Sequence, residues 1–390
     1  MRQAHEIFQA QLQEYGLKTI LLYADPPLLY AELHTGARHT LFFYIPCLPA
    51  DIHSSTLIRA HLSILAAYRD AKKIIPMNIK WLFDATGEPG HPAMLDVVAQ
   101  HQSLFQADGC IGYATDSALI GAPYLALGTK GYLSLELFSR TTPRPVSSSH
   151  GAVVPGAAWR LLWALNQLKN SQEEILLEGF YDNVIALEDE TMEQLYNLPD
   201  NASSLAQHWK LDQLLLGLKG FQLHYAHLLT PSCSINTLHA GASASKRSRA
   251  TLPAQAKACV DFYLVPAQDP DDIASKLREH LQAHDLADIQ VRVLQRNWPI
   301  YTPLAMPFVQ KVQHALSHTS AQGAVLLPLT IGSYPLYPLY KFWHMPVVII
   351  GTSIVQESAS LAEIDPQELA LLSKQTHMII EELANATDTN

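Results

Sequence analysis

The chain has 390 residues, 48% of them hydrophobic and 16% charged, so it is long enough for two or three domains with a large buried core. Its 26 Lys and Arg face 36 Asp and Glu, and the formal net charge of −10 argues against a surface that binds nucleic acid. This composition excludes a collagen-like repeat, a coiled coil and a disordered chain.

Cysteine spacing and the apolar segments indicate the cellular compartment. The four cysteines are widely spaced and form no Cys-x-x-Cys pair, so neither a zinc finger nor a disulfide framework is predicted. The amino-terminal residues form no apolar targeting segment, and the apolar run at 346–351 is far shorter than the ~18 residues that a membrane span needs. We therefore expect a cytoplasmic protein that is not embedded in a membrane.

Short apolar runs alternate with helical patterns in the first third of the chain. The predicted helices are His5–Tyr15 and Leu57–Ala71, and the predicted strands are Thr19–Tyr23, Thr40–Ile45, Asn78–Phe83, Ile111–Ala114 and Tyr124–Gly128. This alternation is typical of α/β units around a partly parallel, buried sheet.

The pattern changes at Gly131. Gly131–Phe138 alternates like an antiparallel strand, and a helix is predicted over 155–169 with Trp159 and Trp163 on one face, which we interpret as core of an inserted domain. The elements predicted after it are helices at Glu188–Tyr196, Leu205–Leu216 and Asp271–His284 and strands at Ala258–Val265 and Ile289–Leu294. They predict a small α+β insertion.

The chain then returns to the first pattern. Strands at Val325–Leu329 and Val347–Gly351 and a helix at Pro366–Ala384 are predicted to rejoin the first sheet. These elements place the α/β domain at residues 1–129 and 298–390 and the inserted domain at residues 130–297.

Six segments follow one another along nearly the whole chain. They are PLLYAELHTGARHTLFFYIPCLPAD, AAYRDAKKIIPMNIKWLFDATGEPGHPAML, LFQADGCIGYATDSALIGAPYLALGTKG, PGAAWRLLWAL, TLPAQAKACVDFYLVPAQDP and GSYPLYPL. In this order they resemble metallopeptidase family 20, the dipeptidase, carnosinase and aminoacylase group. The resemblance implies a zinc-peptidase-like mixed sheet sandwiched by helices, with an inserted α+β lid that mediates dimerisation.

Family members bind two zinc ions and use a glutamate as general base on a bridging water. Several matched positions depart from this pattern. Tyr44 stands where the first zinc histidine lies, and Pro46 stands at the aspartate that orients that histidine. A tyrosine is a poor zinc ligand because its phenol, with an ordinary pKa of about 10, must lose a proton to coordinate. Gly87 occupies the position of the general base, and Asp84, at the end of the preceding strand, is expected to point elsewhere.

Four residues remain as candidate metal ligands. His53 matches the bridging aspartate, Glu88 and Asp116 match ligand positions, and Glu357 stands where the last histidine is expected. Together His53, Glu88 and Glu357 form a set that can hold one Zn²⁺. In the alternative interpretation His53 is a surface histidine and the carboxylates cap turns or helix N-termini. The expected cofactor is therefore none or a single zinc.

Two further matches lie on the substrate side. The turn Gly332-Ser333-Tyr334 resembles the substrate-side turn of the family, and Tyr334, Tyr337 and Tyr340 are expected to fill the volume of the absent metals. In the lid, His150 lies close to a family histidine that reaches into the partner subunit's site, although direct counting places Ser147 there.

The resemblance and its departures predict a family member that has lost the dinuclear zinc site and peptidase activity and acts as a binding or regulatory protein. Its expected partners are a second copy through the lid or an intact paralogue, and its expected ligand is a small peptide or amide. The alternative is an active dipeptidase, N-acyl amino acid amidohydrolase or other enzyme with a single-metal or metal-free site. His53, Glu88, Asp116 and Tyr44 would then be the acid/base set.

Overall fold

The computed structural model describes residues 2–24, 26–47, 52–85, 94–114, 123–241, 250–319, 323–351 and 365–385. The chain divides into two compact units. The first consists of Met1–Thr129, Leu187–Leu228 and Ile300–Asn390, and the second of Lys130–Ala186 and Leu229–Pro299. The segment 187–228 thus belongs to the first unit, whereas the sequence-based boundaries placed it within the insertion.

The strands of the described residues are numbered in chain order. They are β1 (Lys18–Ala24), β2 (Pro27–Leu33), β3 (Thr40–Pro46), β4 (Asn78–Asp84), β5 (Gly109–Tyr113), β6 (Tyr124–Ala126), β7 (Gly128–Thr129), β8 (Gly131–Arg140), β9 (Val146–Ser147), β10 (Ser232–Ala240), β11 (Thr251–Leu252), β12 (Gln255–Leu264), β13 (Gln290–Asn297), β14 (Ile300–Tyr301), β15 (Val325–Leu327) and β16 (Val347–Gly351).

The α-helices are numbered in the same way. They are α1 (Arg2–Glu14), α2 (Ile52–Asp70), α3 (Met94–Gln100), α4 (Gln102–Phe105), α5 (Ala157–Asn166), α6 (Asp189–Tyr196), α7 (Ala202–His208), α8 (Gly220–Leu229), α9 (Pro270–Ala283), α10 (Pro307–Ser317), α11 (Tyr337–Trp343) and α12 (Pro366–Ala384).

An eight-stranded mixed sheet forms the centre of the first unit. Its strand order is β1-β2-β4-β3-β5-β16-β6-β15. β3 is parallel to both β4 and β5, and β16 is parallel to β5 but antiparallel to β6. All residues of β4 and β16 are buried, as expected for central strands of a sheet with both faces covered, and those of β4 include the polar Asn78, Lys80 and Asp84. The predicted mixed, partly parallel sheet is confirmed.

Helices cover both faces of this sheet. On one face, Leu57 of α2 and Leu372 of α12 join the core cluster that contains Phe43 of β3. Phe42 points to the opposite face because side chains alternate along a strand, and there it packs against Phe105 of α4 with ring centroids 5.8 Å apart. The layered architecture expected from the sequence is therefore present.

The second unit is built on a four-stranded antiparallel sheet in the order β10-β12-β8-β13. Leu133, Leu135 and Leu137 of β8 alternate toward one face, where they share a core with Leu161 of α5 and Leu277 of α9. An antiparallel sheet with its helices in one core is the predicted α+β arrangement.

The prediction that Trp159 and Trp163 belong to the core was wrong. Their side chains are 60% and 50% exposed, and the two rings stack with centroids 6.1 Å apart. The opposite side of α5, which includes Leu161 and Leu165, is the buried one. Both sides of this helix are apolar, so hydrophobicity alone did not identify the side that packs on the sheet.

The short pair of strands β7 and β14 requires a glycine at position 128. A Cβ atom on Gly128 would lie 2.0 Å from the carbonyl oxygen of Ile300 on the partner strand. The obstacle is backbone, so no side-chain rotation can relieve it.

No helix of the described residues is both long enough and apolar enough to span a membrane.

Candidate functional site

The carboxyl ends of β3 and β4 carry the clearest polar contact at the matched site. Tyr44 and Asp84 are 3% and 1% exposed, and the Tyr44 hydroxyl donates a hydrogen bond to Asp84 Oδ2 at 2.8 Å. The parallel register pairs Tyr44 with Leu82, and Asp84 follows two residues later on the same face of β4. The expectation that Asp84 points elsewhere was wrong, because side-chain alternation along β4 directs Asp84 toward Tyr44.

This environment keeps the Tyr44 phenol protonated. Burial, followed by the charge of Asp84 and the hydrogen bond to it, raises the Tyr44 pKa well above its ordinary value of 10. Zinc coordination requires the deprotonated phenolate, and here the phenol proton is engaged by a carboxylate. The residue at the first histidine position therefore does not fit the zinc ion that the family places there.

The positions next to Tyr44 add no metal ligand. Pro46 has no side-chain donor atom, and it pairs in register with Asp84 on the neighbouring strand. The backbone N–H of Cys47 donates to the backbone carbonyl of Asp84 at 2.6 Å. The end of β3 is thus fixed against β4 by a backbone contact and by the phenol–carboxylate contact.

The substrate-side turn meets the same site. Tyr334 is 6% exposed, and its ring packs edge to face against Tyr44 with centroids 6.5 Å apart. Ser333 is also buried, and the Thr330 hydroxyl donates to the Gly332 carbonyl oxygen at 2.8 Å, which closes the turn. The structure thus brings together two of the residues that the sequence singled out, Tyr44 and Tyr334.

The other candidate ligands lie beyond what the structure describes. Gly87, Glu88, Asp116 and Glu357 are outside the described residues, and for His53 only the backbone is described, in the first turn of α2. Within the described part of the chain, no group of three or more His, Cys, Asp or Glu side chains is arranged to hold a metal ion.

In the second unit, His150 ends a one-turn 3-10 helix at 148–150 and is exposed. This turn follows β9, which pairs with β11. The Ser147 hydroxyl, at the position reached by direct counting, accepts a hydrogen bond from the backbone N–H of Ser149 at 3.4 Å and caps the turn. Ser147 thus has a local structural contact, whereas His150 presents its imidazole to solvent.

Lys130 stands where the family pattern has an arginine, and it is 3% exposed. Its Nζ donates to the backbone carbonyl of Thr230 at 2.8 Å. Burial lowers the pKa of the Lys130 ammonium to about 7. Burial thus favours the neutral form of this side chain.

A second polar cluster, which the sequence did not indicate, lies in the core of the first unit. Trp81 Nε1 donates to His61 Nδ1 at 3.2 Å, so the proton of the neutral ring is on Nε2. That proton faces the Tyr113 hydroxyl at 3.0 Å, which contacts Thr376 Oγ1 at 2.9 Å. Burial lowers the His61 pKa to about 3. The cluster is a satisfied chain of neutral hydrogen bonds between β4, α2, β5 and α12.

Comparison with known proteins agrees with this architecture. The peptidase dimerisation domain of family M20 matches residues 127–289. The Beta-Ala-His dipeptidase of Rattus norvegicus is 22% identical over 231 residues, which are 58% of this chain and 46% of the relative. The protein of the same name from Homo sapiens is 23% identical over 230 residues, 58% of this chain and 45% of the relative. The match therefore spans about half the length of these relatives.

Solved structures agree over almost the whole chain. An M20 family metallo-carboxypeptidase from Sulfolobus solfataricus has a TM-score of 0.85 and 20% identity, covering 98% of this chain and 94% of its own. Human carnosine dipeptidase 1 has a TM-score of 0.79 and 16% identity, covering 98% and 91%. The matched dimerisation domain and the shared fold lead to one conclusion: residues 127–289 match the peptidase dimerisation domain of family M20, and the chain has the fold of M20 peptidases.

Proposed function

We propose that this protein is a dipeptidase-like member of the family that has lost the dinuclear zinc centre and acts as a binding or regulatory protein. The observation that carries the proposal is the hydrogen bond from Tyr44 to the buried carboxylate of Asp84. It occupies the strand end at which the resemblance places the first zinc histidine and its orienting aspartate.

The chemistry of the residue types at the matched positions supports this proposal. A protonated phenol that donates to Asp84 cannot also give a lone pair of a phenolate to zinc. Pro46 cannot orient a ligand, because it lacks a polar side chain. Gly87, at the general base position, cannot remove a proton from water, and such a base contributes about 10²- to 10⁴-fold to the rate.

The aromatic contact between Tyr44 and Tyr334 supports a role for the remaining site in binding. Both side chains are buried, and they are joined by an edge-to-face contact. In the proposed protein these rings fill part of the space that metals occupy in the family. The turn at Gly332 and Ser333 then contributes to a pocket for a small peptide or amide.

Dimerisation is the second part of the proposal. The match to the peptidase dimerisation domain supports assembly through the second unit. The exposed, stacked pair Trp159 and Trp163 lies on this unit, and large exposed aromatic side chains are enriched at protein interfaces. We propose a homodimer. The alternative is a heterodimer with an intact paralogue, assembled through the same unit.

The decisive experiment combines a metal count with an activity assay. Protein purified without an affinity tag or chelator is dialysed with excess Zn²⁺, passed through a desalting column and analysed for zinc and manganese per chain. Turnover is measured on β-Ala-His, other dipeptides and N-acyl amino acids. We expect no stoichiometric metal at the matched site and no turnover above that of the Glu88→Ala/Asp116→Ala double variant.

Two results would overturn the proposal. Two tightly bound metals per chain, with turnover that disappears in the double variant, would establish a working peptidase. One tightly bound metal that is lost in the double variant, or turnover without metal that the double variant abolishes, would establish the alternative enzyme with a remodelled site. A double variant that changes only thermal stability would instead identify Glu88 and Asp116 as structural caps.

A further inference from the structure

Two histidines at the end of α10, far along the chain from the matched zinc positions, face one another. His314 and His318 are four residues apart, and their Nε2 atoms are separated by 3.3 Å. The ring centroids are 4.8 Å apart and the rings are nearly perpendicular. Both residues are exposed, so water and ions reach them directly.

The carboxylate of Glu382, on another helix, lies beside the His314 ring and influences its tautomer. His314 Nδ1 lies 3.1 Å from Oε1 of Glu382 on α12. The adjacent negative charge favours the tautomer with its proton on Nδ1, and in that neutral ring Nε2 carries the lone pair and faces His318. Histidines that bind metals commonly donate their other ring N–H to a carboxylate, which orients the ring and increases its basicity.

The spacing of the two nitrogens matches a tetrahedral ion. With Zn–N bonds of about 2.0–2.1 Å and an N–Zn–N angle of about 109°, the two nitrogens are about 3.3–3.4 Å apart. The observed separation of 3.3 Å equals this distance. Rotation of these exposed rings, together with the change of tautomer at His318 described below, would direct both Nε2 lone pairs at one ion.

The local electrostatics favour a cation. Both histidines lie at the C-terminal end of α10, which is 11 residues long. The unpaired carbonyl groups at a helix C-terminus carry partial negative charge. Glu382 adds a full negative charge at the outer nitrogen of His314.

We propose that His314 and His318 form a binding site for a divalent first-row transition cation, such as Zn²⁺, Ni²⁺ or Cu²⁺, with water completing the coordination. Imidazole nitrogens suit these ions. Before binding, His318 donates its Nε2 proton to His314; on binding, that proton moves to His318 Nδ1, which has no hydrogen-bond partner among the described residues. The bound ion links the end of α10, through His314 and Glu382, to α12.

The test is a calorimetric titration of tag-free, metal-stripped protein with Zn²⁺, together with thermal melts with and without the ion. We expect wild-type protein to bind one more Zn²⁺ per chain than either His314→Ala or His318→Ala. The rise in melting temperature caused by Zn²⁺ should be smaller in both variants. Glu382→Gln should retain the site and weaken it by about tenfold, the lower end of the range for an outer-shell partner.

His284→Ala is the matched control, because His280 and His284 have the same four-residue spacing on α9. There, His280 Nε2 contacts the Gln167 carbonyl and His284 Nδ1 contacts the His280 carbonyl, so the two Nε2 atoms do not face each other. The control should bind zinc like wild type. An unchanged stoichiometry in His314→Ala and His318→Ala, or a loss in His284→Ala, would refute the assignment.

The same variants separate this inference from the proposed function. A zinc ion at the matched family positions would remain in His318→Ala, whereas an ion at the surface pair would be lost. A metal count in this variant therefore tests the family site alone.

Discussion

The Tyr44 phenol donates a hydrogen bond to Asp84 across two neighbouring parallel strands, 2.8 Å from oxygen to oxygen. Because the contact is buried, removing its donor leaves a carboxylate with one hydrogen bond fewer in a site of low dielectric constant. The contact is therefore a structural element of the first unit as well as an obstacle to zinc.

Tyr44→Phe should lower the free energy of unfolding by about 1.5–3 kcal/mol, the range for a lost hydrogen bond to a charged group. Urea denaturation followed by circular dichroism measures the change. Tyr196→Phe is the control, because this side chain is 65% exposed, and its effect should stay within about 0.5 kcal/mol. Equal effects of the two substitutions would mean that the Tyr44 hydroxyl contributes no specific stabilisation.

The buried His61 predicts a dependence of stability on pH. Its pKa is about 3 in the folded protein and 6.5 as an ordinary histidine, so below pH 6.5 the unfolded chain binds a proton that the folded protein does not. The part of the unfolding free energy that depends on neutral His61 is fully present above pH 6.5. Below pH 6.5 it falls by about 1.4 kcal/mol per pH unit, so that about 2 kcal/mol is lost at pH 5.

His61→Gln should remove this contribution while retaining groups that can bond to Trp81 and Tyr113. Unfolding free energies measured at several pH values between 5 and 8 should show a shallower slope in the variant than in wild type. His150→Gln, at an exposed position, should keep the wild-type slope. An unchanged slope in His61→Gln would show that another group causes the acid sensitivity.

The exposed tryptophan pair predicts where the dimer forms. The Trp159→Ala/Trp163→Ala variant should weaken dimerisation by about 30-fold or more, since hot-spot aromatic residues contribute about 2 kcal/mol or more. Analytical ultracentrifugation over a concentration series measures this. Trp209→Ala, a comparable exposed residue in the first unit, should leave the dimer constant unchanged. A double variant that dimerises like wild type would place the interface elsewhere.

No side chain should be tolerated at position 128, because the neighbouring backbone leaves no room for a Cβ atom. Gly128→Ala should destabilise the protein by about 3 kcal/mol or more, because its Cβ meets the Ile300 carbonyl at 2.0 Å. At Gly156 the same change meets only Trp159 Cδ1 at 3.5 Å and should cost less than about 1 kcal/mol. Melting temperatures of the two variants give the comparison. Similar values would mean that β7 and β14 can separate without loss.

The strands that consist mainly of apolar residues could be predicted from the sequence, whereas β2, which begins with a proline, could not. β3 and β16 are largely apolar runs, and they are buried as expected. β2 was not predicted, because Pro27 at its start is typical of a turn, although its position at the first residue of a strand is compatible with pairing. Local pattern does not report partners far along the chain, and β2 is stabilised by pairing with both β1 and β4.

Some residues of the candidate site could likewise be identified from the sequence, and others could not. The resemblance selected Tyr44 and Tyr334, and the structure places them in contact. Asp84 was set aside because it lies three residues before the general base position, at a strand end, and was expected to point elsewhere, yet its register on β4 directs it toward Tyr44. His314 and Glu382 lie on two different helices, so no local sequence motif could predict that they are close together.

The position of β16 in the sheet has a consequence for synthesis on the ribosome. β16 is hydrogen-bonded to β5 on one side and to β6 on the other, so residues 347–351 join two strands made from the first 126 residues. While residues 127–346 are being added, the apolar edge of β5 lacks the strand that later covers it. Unpaired edges of this kind promote aggregation. The edge of β5 is therefore open to pairing with other chains until residues 347–351 have been made.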